Sequence, residues 1–299
     1  MSNDDLVFET VRLVPRGQVT TYGAIAKLTG FSPRTVGQIL HRNKRPREIS
    51  CHRVVRSDGS LATGYAFGGP AAQKKKLLAE GIIFKHDRVQ SEKFCFPRPN
   101  RALQQYFMLL RQFGRPAVWP WSGGPAHTSE EIVIGAILTQ RISWRNVEMA
   151  LANLRAARAN NLETLRRLGK RQAKTLENLI RPSGFYRQKT ERLLTLAQLV
   201  ARTGGWQKWR QLAIVPLRRA LLDLKGIGPE TADTILLYAL GRPVFVIDEY
   251  TRRFVRHYRL TRAGSYDALQ KFFSGRLPPD LQLYQSYHAL IVLWGKKAV

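Results

Sequence analysis

Acidic residues are in short supply in this chain: Asp and Glu together number 21 against 49 for Lys and Arg, which leaves a net charge of +28. The shortfall points to a polyanionic partner, because excess positive charge attracts phosphate, yet it does not separate nucleic acid from an anionic lipid surface. Cysteine is scarcer still. The sequence holds Cys51 and Cys95 alone, too few for a disulfide framework or a four-cysteine iron–sulfur cluster, so any thiol chemistry falls to one of these two. No apolar run approaches the roughly 20 residues of a membrane span. The N-terminus, Met1 to Thr10, lacks the basic start and apolar stretch of a secretory signal. These absences lead to the expectation of a soluble, intracellular protein. Internal repeats and low-complexity tracts are also missing.

With 299 residues, 44% of them hydrophobic, the chain exceeds the roughly 250 residues at which single cores stop growing, so two domains are expected. The segment Phe94 to Arg101 carries Pro97 and Pro99 and divides a first domain, 1–97, from a second, 98–299. In the first, Leu6 to Leu13, Tyr22 to Leu28 and Pro33 to Arg42 read as short helices, the last with Val36, Ile39 and Leu40 on one face. Turn signals follow at Ser57 to Gly59 and a glycine-rich stretch at Gly64 to Gly69. A final helix, Ala71 to Glu80, is stopped by Gly81 as a C′ glycine. Beyond the boundary, helical period runs through Glu130 to Leu138, Ser143 to Ala157, Glu163 to Leu168, Arg171 to Ile180, Arg187 to Ala201, Leu217 to Leu224, Glu230 to Leu240 and Glu249 to Arg259. The second domain is therefore expected to be all-α.

Between two of these helices lies Leu224-Lys225-Gly226-Ile227-Gly228-Pro229-Glu230-Thr231, with glycines two apart and a proline at the first position of the next helix. Without side chains at Gly226 and Gly228, loop amides can approach a phosphate closely; a plain helix-helix turn also uses glycine here. Gly241 to Ile247 then runs apolar into Asp248, which an ordinary reading makes a helix N-cap. Glu131 to Gln140 reads as a buried helix ending in glutamine.

This stretch resembles the helix-hairpin-helix DNA glycosylases related to endonuclease III, and within them the 3-methyladenine branch. The resemblance implies that Lys225, Gly226, Gly228 and Thr231 grip the DNA backbone. It further implies that Gln140 enters the gap left by a flipped base and that Asp248 is the essential carboxylate. Arg181 to Tyr186 and Tyr287 to Val292 extend the likeness. Trp119 and Trp121 are candidates for stacking on a cationic base, with core packing as the alternative, and Trp144 is assigned to the core. Bifunctional relatives carry a lysine two positions after the second glycine, where this chain has Glu230, so a monofunctional hydrolase is expected. The sequence ends at Gly295 to Val299 without a cysteine cluster, so no iron–sulfur cofactor is expected. A backbone-bound monovalent cation at the hairpin stays open, and no metal site is read from side chains.

In the first domain, Thr20 to Ala26, Pro33 to Gly37, Asn43 and Ser50-Cys51-His52-Arg53-Val54-Val55 follow one another in an order that resembles the O6-alkylguanine-DNA alkyltransferases and the alkyltransferase-like proteins. The likeness covers residues 5–96 and implies a winged helix-turn-helix, so the fold class as a whole is mainly α. It implies that Arg34 takes the place of the extruded nucleotide, Tyr22 turns the adjoining phosphate, Asn43 stabilises the turn and Tyr65 lies near the guanine edge. Cys51 would be the alkyl acceptor, activated by His52 through a water and by Glu80. Ser50 replaces the usual proline, and Gly64 to Gly69 with Val89 to Phe96 resemble the branch that binds without transfer, so transfer and binding alone both stand. Cys95 is assigned to packing.

The two resemblances together imply repair of alkylated DNA. The second domain would excise alkylated purines such as 3-methyladenine, and the first would remove or flag O6-alkylguanine; a mismatched thymine or uracil is the alternative base. The expected partner is double-stranded DNA carrying alkylated bases, met by a monomer, with other repair factors as further candidates. The expected location is the cytoplasm and nucleoid, or the nucleus in a eukaryote.

Overall fold

The computed structural model describes residues 2–90, 100–116, 121 and 127–297. Cys95, Trp119 and the boundary drawn at residue 97 lie outside the described residues. Contacts divide the chain into two units, Met1–Arg115 with Gly275–Pro278, and Pro116–Ser274 with Pro279–Val299.

In the first unit, helix α1 (Asn3–Arg12) starts ahead of the expected Leu6 because Ser2 caps it. The Ser2 hydroxyl accepts from the Asp5 amide while the Asp5 carboxylate accepts from the Ser2 amide. Helices α2 (Tyr22–Thr29) and α3 (Pro33–His41) form the helix-turn-helix. Gly30, at φ 72°, ends α2, and Ser32 with Pro33 opens α3. Ile25, Val36, Ile39 and Leu40 from this pair pack on Val7 and Val11 of α1. Strand β1 (Thr20–Thr21) pairs in parallel with β2 (Val54–Val55), Thr20 opposite Val54. Helix α4 (Gly69–Ala79) stops as expected at Gly81, whose amide and that of Ile82 reach back to the carbonyls of Leu78 and Leu77 at 2.9 and 3.0 Å. The antiparallel hairpin of β3 (Phe84–Lys85) and β4 (Arg88–Val89) turns through His86 and Asp87, both left-handed. Such a turn matches the twist of a hairpin, and it makes the wing.

Helix α5 (Arg101–Phe113) was not anticipated, and its residues fall in the span that sequence assigned to the second domain. It packs instead within the first unit. Glu9 of α1 is almost fully buried and accepts hydrogen bonds from Arg12, from the Tyr106 hydroxyl at 3.0 Å and from Arg115. Arg111 donates to the Thr29 carbonyl at the end of α2. A carboxylate inside protein needs compensating donors, and α5 with Arg115 supplies two of the three. The compact units consequently part at Arg115 rather than at 97.

The second unit is helical throughout its described residues, as expected. Its helices are α6 (Ser129–Leu138), α7 (Trp144–Ala156), α8 (Leu162–Leu168), α9 (Ala173–Ile180), α10 (Tyr186–Arg202), α11 (Gly205–Trp209), α12 (Ile214–Leu222), α13 (Pro229–Thr234), α14 (Glu249–His257), α15 (Tyr266–Ser274) and α16 (Leu281–Lys297). The chain after α13 departs from the expected α-helix to Leu240 and widens to a π-helical segment over Ile235–Ala239. Its closing bond runs from the Leu240 amide to the Ile235 carbonyl at 3.1 Å. Helices α15 and α16 also escaped the sequence reading. Leu283, Tyr284, Tyr287, Leu290 and Ile291 bury α16 on most sides, so it has no polar face from which an amphipathic period could be read. Among the described residues no helix is long and apolar enough to cross a membrane.

Tyr106→Phe should lower stability by about 1.5–3 kcal/mol, the range for a hydrogen bond to a charged group. The measurement is the urea midpoint of the full chain followed by circular dichroism; an unchanged midpoint would show that Glu9 does not depend on α5.

Candidate active site and lesion-binding groove

The hairpin between α12 and α13 is shaped by Gly226, which sits at φ 86° against the Arg192 guanidinium, where a methyl group would collide. Ile227 anchors the loop in the core, while Lys225 and Gly228 stay exposed. Gln140, just past the end of α6, spans the gap to this loop. Its side-chain amide donates to the Gly226 carbonyl and to the Thr231 hydroxyl, each at 3.0 Å, and its oxygen accepts from Arg192. Three of the predicted DNA-facing residues, Gln140, Gly226 and Thr231, thus meet at one place. Lys189, fully buried on α10, donates to the carbonyls of Leu138 at 2.7 Å and Ser183 at 2.5 Å and so fixes the end of α6 from which Gln140 projects. Burial, with Arg192 nearby, pushes its ammonium down to about 8.

Beside the hairpin lies a cavity of about 590 Å³. Trp121 and Trp144 form one wall, edge to face with ring centres 4.7 Å apart. They come this close to α6 because Gly135 has no side chain: a Cβ there would lie 3.3 Å from Trp121 and 3.6 Å from Trp144. Trp144, assigned by sequence to the core, therefore lines the cavity as well. Asp248 faces the same space from the start of α14.

Asp248 does cap its helix, accepting from the Thr251 amide at 2.7 Å. Its other carboxylate oxygen lies 3.2 Å from His288 Nε2, a distance of an ion pair though not in line for a good hydrogen bond. His288 Nδ1 is 2.7 Å from the Tyr238 hydroxyl. Burial works to raise the Asp248 carboxyl, but the His288 imidazole and the Thr251 amide outweigh it and hold the group below its ordinary value. Neither His288 nor Tyr238 was singled out from sequence. A signal existed: His288, Val292 and Lys296 recur every fourth residue of α16 and all line the cavity.

The segment leading to Asp248 is tied down by Asp233, which is fully buried. Its carboxylate accepts from Arg218 at 2.7 Å, from the Tyr266 hydroxyl at 2.8 Å and from Gln270 at 2.7 Å. Gln270 also donates to the Phe245 carbonyl, and the Tyr266 hydroxyl accepts from the Ile247 amide. One carboxylate thereby joins the hairpin helices to α15 and to the residues immediately before Asp248. This hub was missed as well.

In the first unit, Tyr22 and Arg34, at the starts of α2 and α3, line a groove of about 760 Å³. Gly37 of α3 lies beside the Tyr22 ring in the same groove. Cys51 opens a short 3-10 turn and is buried in the apolar core, against which Tyr22, Tyr65 and Phe67 pack. Asn43 donates to its sulfur at 3.0 Å and to the Ile49 carbonyl at 3.4 Å. Burial, against the Asn43 hydrogen bond, pushes the Cys51 thiol up to about 11. His52 does not turn to the thiol directly; its Nε2 donates to Glu80 at 2.8 Å. Glu80 also accepts from Arg53 at 2.8 Å and from the Gly17 amide. Burial alone would raise the Glu80 carboxyl, but Arg53, His52 and Gly17 bring it down to about 2. Burial lowers His52 despite Glu80, so its ring is neutral at neutral pH. Tyr65 accepts from Lys76 at 3.1 Å, and the Lys76 ammonium also lies over the Phe67 ring.

Two DNA-binding helical units, one enclosing an aromatic cavity with a buried carboxylate and the other a helix-turn-helix with a buried cysteine, define a DNA repair protein. Residues 3–82 match the 6-O-methylguanine DNA methyltransferase DNA-binding domain, and residues 134–279 match the HhH-GPD superfamily of base excision DNA repair proteins. A putative DNA repair glycosylase of Methanocaldococcus jannaschii is 42% identical over 64% of this chain and 86% of its own length. A methylated-DNA–protein-cysteine methyltransferase of Pyrobaculum aerophilum is 50% identical over 23% of this chain; the match spans 46% of that protein. The crystal structure of the Helicobacter pylori 3-methyladenine DNA glycosylase bound to 1,N6-ethenoadenine superimposes with a TM-score of 0.53 at 28% identity, covering 65% of this chain and 94% of that one. The chain belongs to the HhH-GPD superfamily of base excision DNA repair proteins and carries, ahead of that domain, a DNA-binding domain of the 6-O-methylguanine DNA methyltransferase family.

Gly226→Ala should displace Arg192 and release Gln140, weakening binding of duplex DNA by tenfold or more in a fluorescence anisotropy titration; unchanged affinity would separate the loop from DNA. The depressed Glu80 carboxyl contributes stability that is present above its ordinary value of 4.5 and is lost as pH falls toward about 2. Acid unfolding of the first unit should therefore flatten over that window in Glu80→Gln, as followed by hydrogen exchange in α4.

Proposed function

We propose that the second unit hydrolyses the N-glycosidic bond of alkylated purines flipped out of duplex DNA. The observation that carries this reading is Asp248, kept anionic by His288 and the start of α14 while it faces a cavity walled by Trp121 and Trp144. A fixed negative charge stabilises the oxocarbenium-like sugar as the base departs and can take a proton from the attacking water. The tryptophans supply stacking and cation–π attraction, which suits a purine made positive by alkylation. The likeness to the 3-methyladenine glycosylase, whose structure holds a purine derivative, supports the same class of base. The side chain at position 230 is a carboxyl, so no amine stands there to form a Schiff base, and simple hydrolysis follows. Gln140 would fill the vacated stack after exchanging its bonds to Gly226, Thr231 and Arg192 for bonds to DNA. A monovalent cation at the hairpin would compete with the Ile227 amide and Gln140 for the carbonyls of Leu224 and Gly226.

For the first unit the reading is recognition of O6-alkylguanine in the groove of Tyr22 and Arg34, followed by alkyl transfer to Cys51. Neutral His52, oriented by Glu80, is available as the base. The second reading, binding without transfer, is favoured by the buried thiol and its pKa of about 11, since the thiolate is the nucleophile.

Both readings are tested with one panel of duplexes carrying 3-methyladenine, O6-methylguanine, mismatched thymine or uracil. Asp248→Asn should slow release of the alkylated purine by about 10²-fold or more and leave the first unit's reaction intact. Cys51→Ala should abolish the one-methylene mass gain on the protein and spare base release. No mass gain in the wild type would establish binding alone, and release confined to thymine or uracil would overturn the purine reading.

A further inference from the structure

We infer that Glu230 is a general acid that lets the second unit release neutral damaged purines as well as cationic ones, an inference resting on the base-excision reading above. Glu230 stands in the first turn of α13 on the wall of the cavity that Asp248 faces. Its side chain has no hydrogen-bond or ion-pair partner among the described residues. The two carboxyls therefore share a space but not an environment. Asp248 has an amide at 2.7 Å and an imidazole at 3.2 Å to hold its charge; Glu230 has no such direct contact, and His288 acts on it only through its field.

Charged and titratable groups share the cavity wall with Glu230 or act on it from several elements: Asp248, Glu249 and Arg252 at the start of α14, His288 and Lys296 on α16, Arg141 between α6 and α7, and Arg145 in the first turn of α7. The protein crowded around it, and next the Asp248 carboxylate, push the Glu230 carboxyl up to about 7, although the residue stays exposed and solvent moderates the shift. Carboxyls in one pocket whose proton affinities are driven apart make an acid and an anion out of the same functional group.

The need for the acid depends on the base. A cationic purine departs neutral as the bond from C1′ to N9 breaks. A neutral purine takes the bonding electron pair and departs as an anion unless a proton reaches its ring. In the proposed step the C1′–N9 bond breaks with its electrons passing to the base, and the Glu230 proton moves to a ring nitrogen. Water oxygen bonds to C1′, and the water proton passes to Asp248. The products are a neutral free base and an abasic sugar, and proton exchange with solvent restores both carboxyls.

Single-turnover release from duplexes carrying 1,N6-ethenoadenine, a neutral base, or 3-methyladenine, a cationic one, is measured against pH for the wild type, Glu230→Gln and Glu230→Asp. Release of the neutral base should be lost as pH rises through about 7, while release of the cationic base has no such alkaline limb. Glu230→Gln should lower the neutral-to-cationic ratio of rates by about 10²-fold or more and erase that limb, and Glu230→Asp should restore part of the ratio. Circular dichroism and affinity for undamaged duplex DNA report on the folding of each variant, and if Glu230→Gln does not fold, the wild-type profile and Glu230→Asp decide. An unchanged ratio, an alkaline limb that survives in Glu230→Gln, or a wild type that releases the cationic base alone would overturn the inference and leave the base-excision reading standing. Release of neither base would overturn both.

Discussion

The hydrolysis proposed for this cavity needs a carboxylate that stays charged inside protein, and the second unit meets that condition at Asp248. Burial alone would protonate the group. The opposing contributions come from two directions in the chain, the first free amides of α14 and the imidazole of His288 from α16. Each is held in turn: α14 begins where it does because Asp233 fixes Phe245 and Ile247 through Gln270 and Tyr266, and His288 is oriented by Tyr238. Loss of any of these leaves a charge in low dielectric without its partner, a more costly condition than an exposed ion pair lost.

The same economy of acids recurs elsewhere. In a chain with 49 basic residues and 21 acidic ones, three carboxylates, two buried and one half-buried, act as junctions for several donors. Glu9 gathers α1 and α5, Glu80 gathers His52, Arg53 and the Gly17 amide, and Asp233 gathers α12 and α15. The arginines spent on these junctions are positions where the charge serves the fold, whereas Lys225 on the hairpin stays exposed.

Much of the fold was legible in the sequence where local rules decide it. The helix stop at Gly81 and the glycine-proline hairpin from Gly226 to Pro229 each carry their own chemistry and appear where they were expected. What failed depended on partners distant in sequence. Glu9 requires Tyr106 and Arg115, so nothing local in the segment after Arg101 announced that α5 belongs to the first unit. In the candidate site, Asp248, Gln140, Gly226 and Thr231 could be named through the resemblance to the glycosylases, and Cys51 with Asn43, His52 and Glu80 through the resemblance of the first unit to the alkyltransferases. His288 and Tyr238 were not, because each sits in a helix buried on nearly every side, where one polar residue looks like an accommodated core group. Trp144 kept a helical spacing that fits a core as well as a wall. Glu230 stood out only as a residue in place of a lysine, and its surroundings became readable once α14 and α16 were in place.

The π-helical segment at Ile235–Ala239 is a device of phase. An α-helix turns about 100° with each residue, and a π segment holds more residues per turn, so side chains beyond it are rotated from where an unbroken α-helix would aim them. Thr231 and Thr234 line the cavity ahead of the widening, and Tyr238, within it, still reaches His288 on the same side of the unit. The helix thus serves two clients with different angular demands, the hairpin at its start and the imidazole near its end. Its register, more than any one side chain, is the mechanical coupling between the loop that would hold DNA and the carboxylate that would act on it.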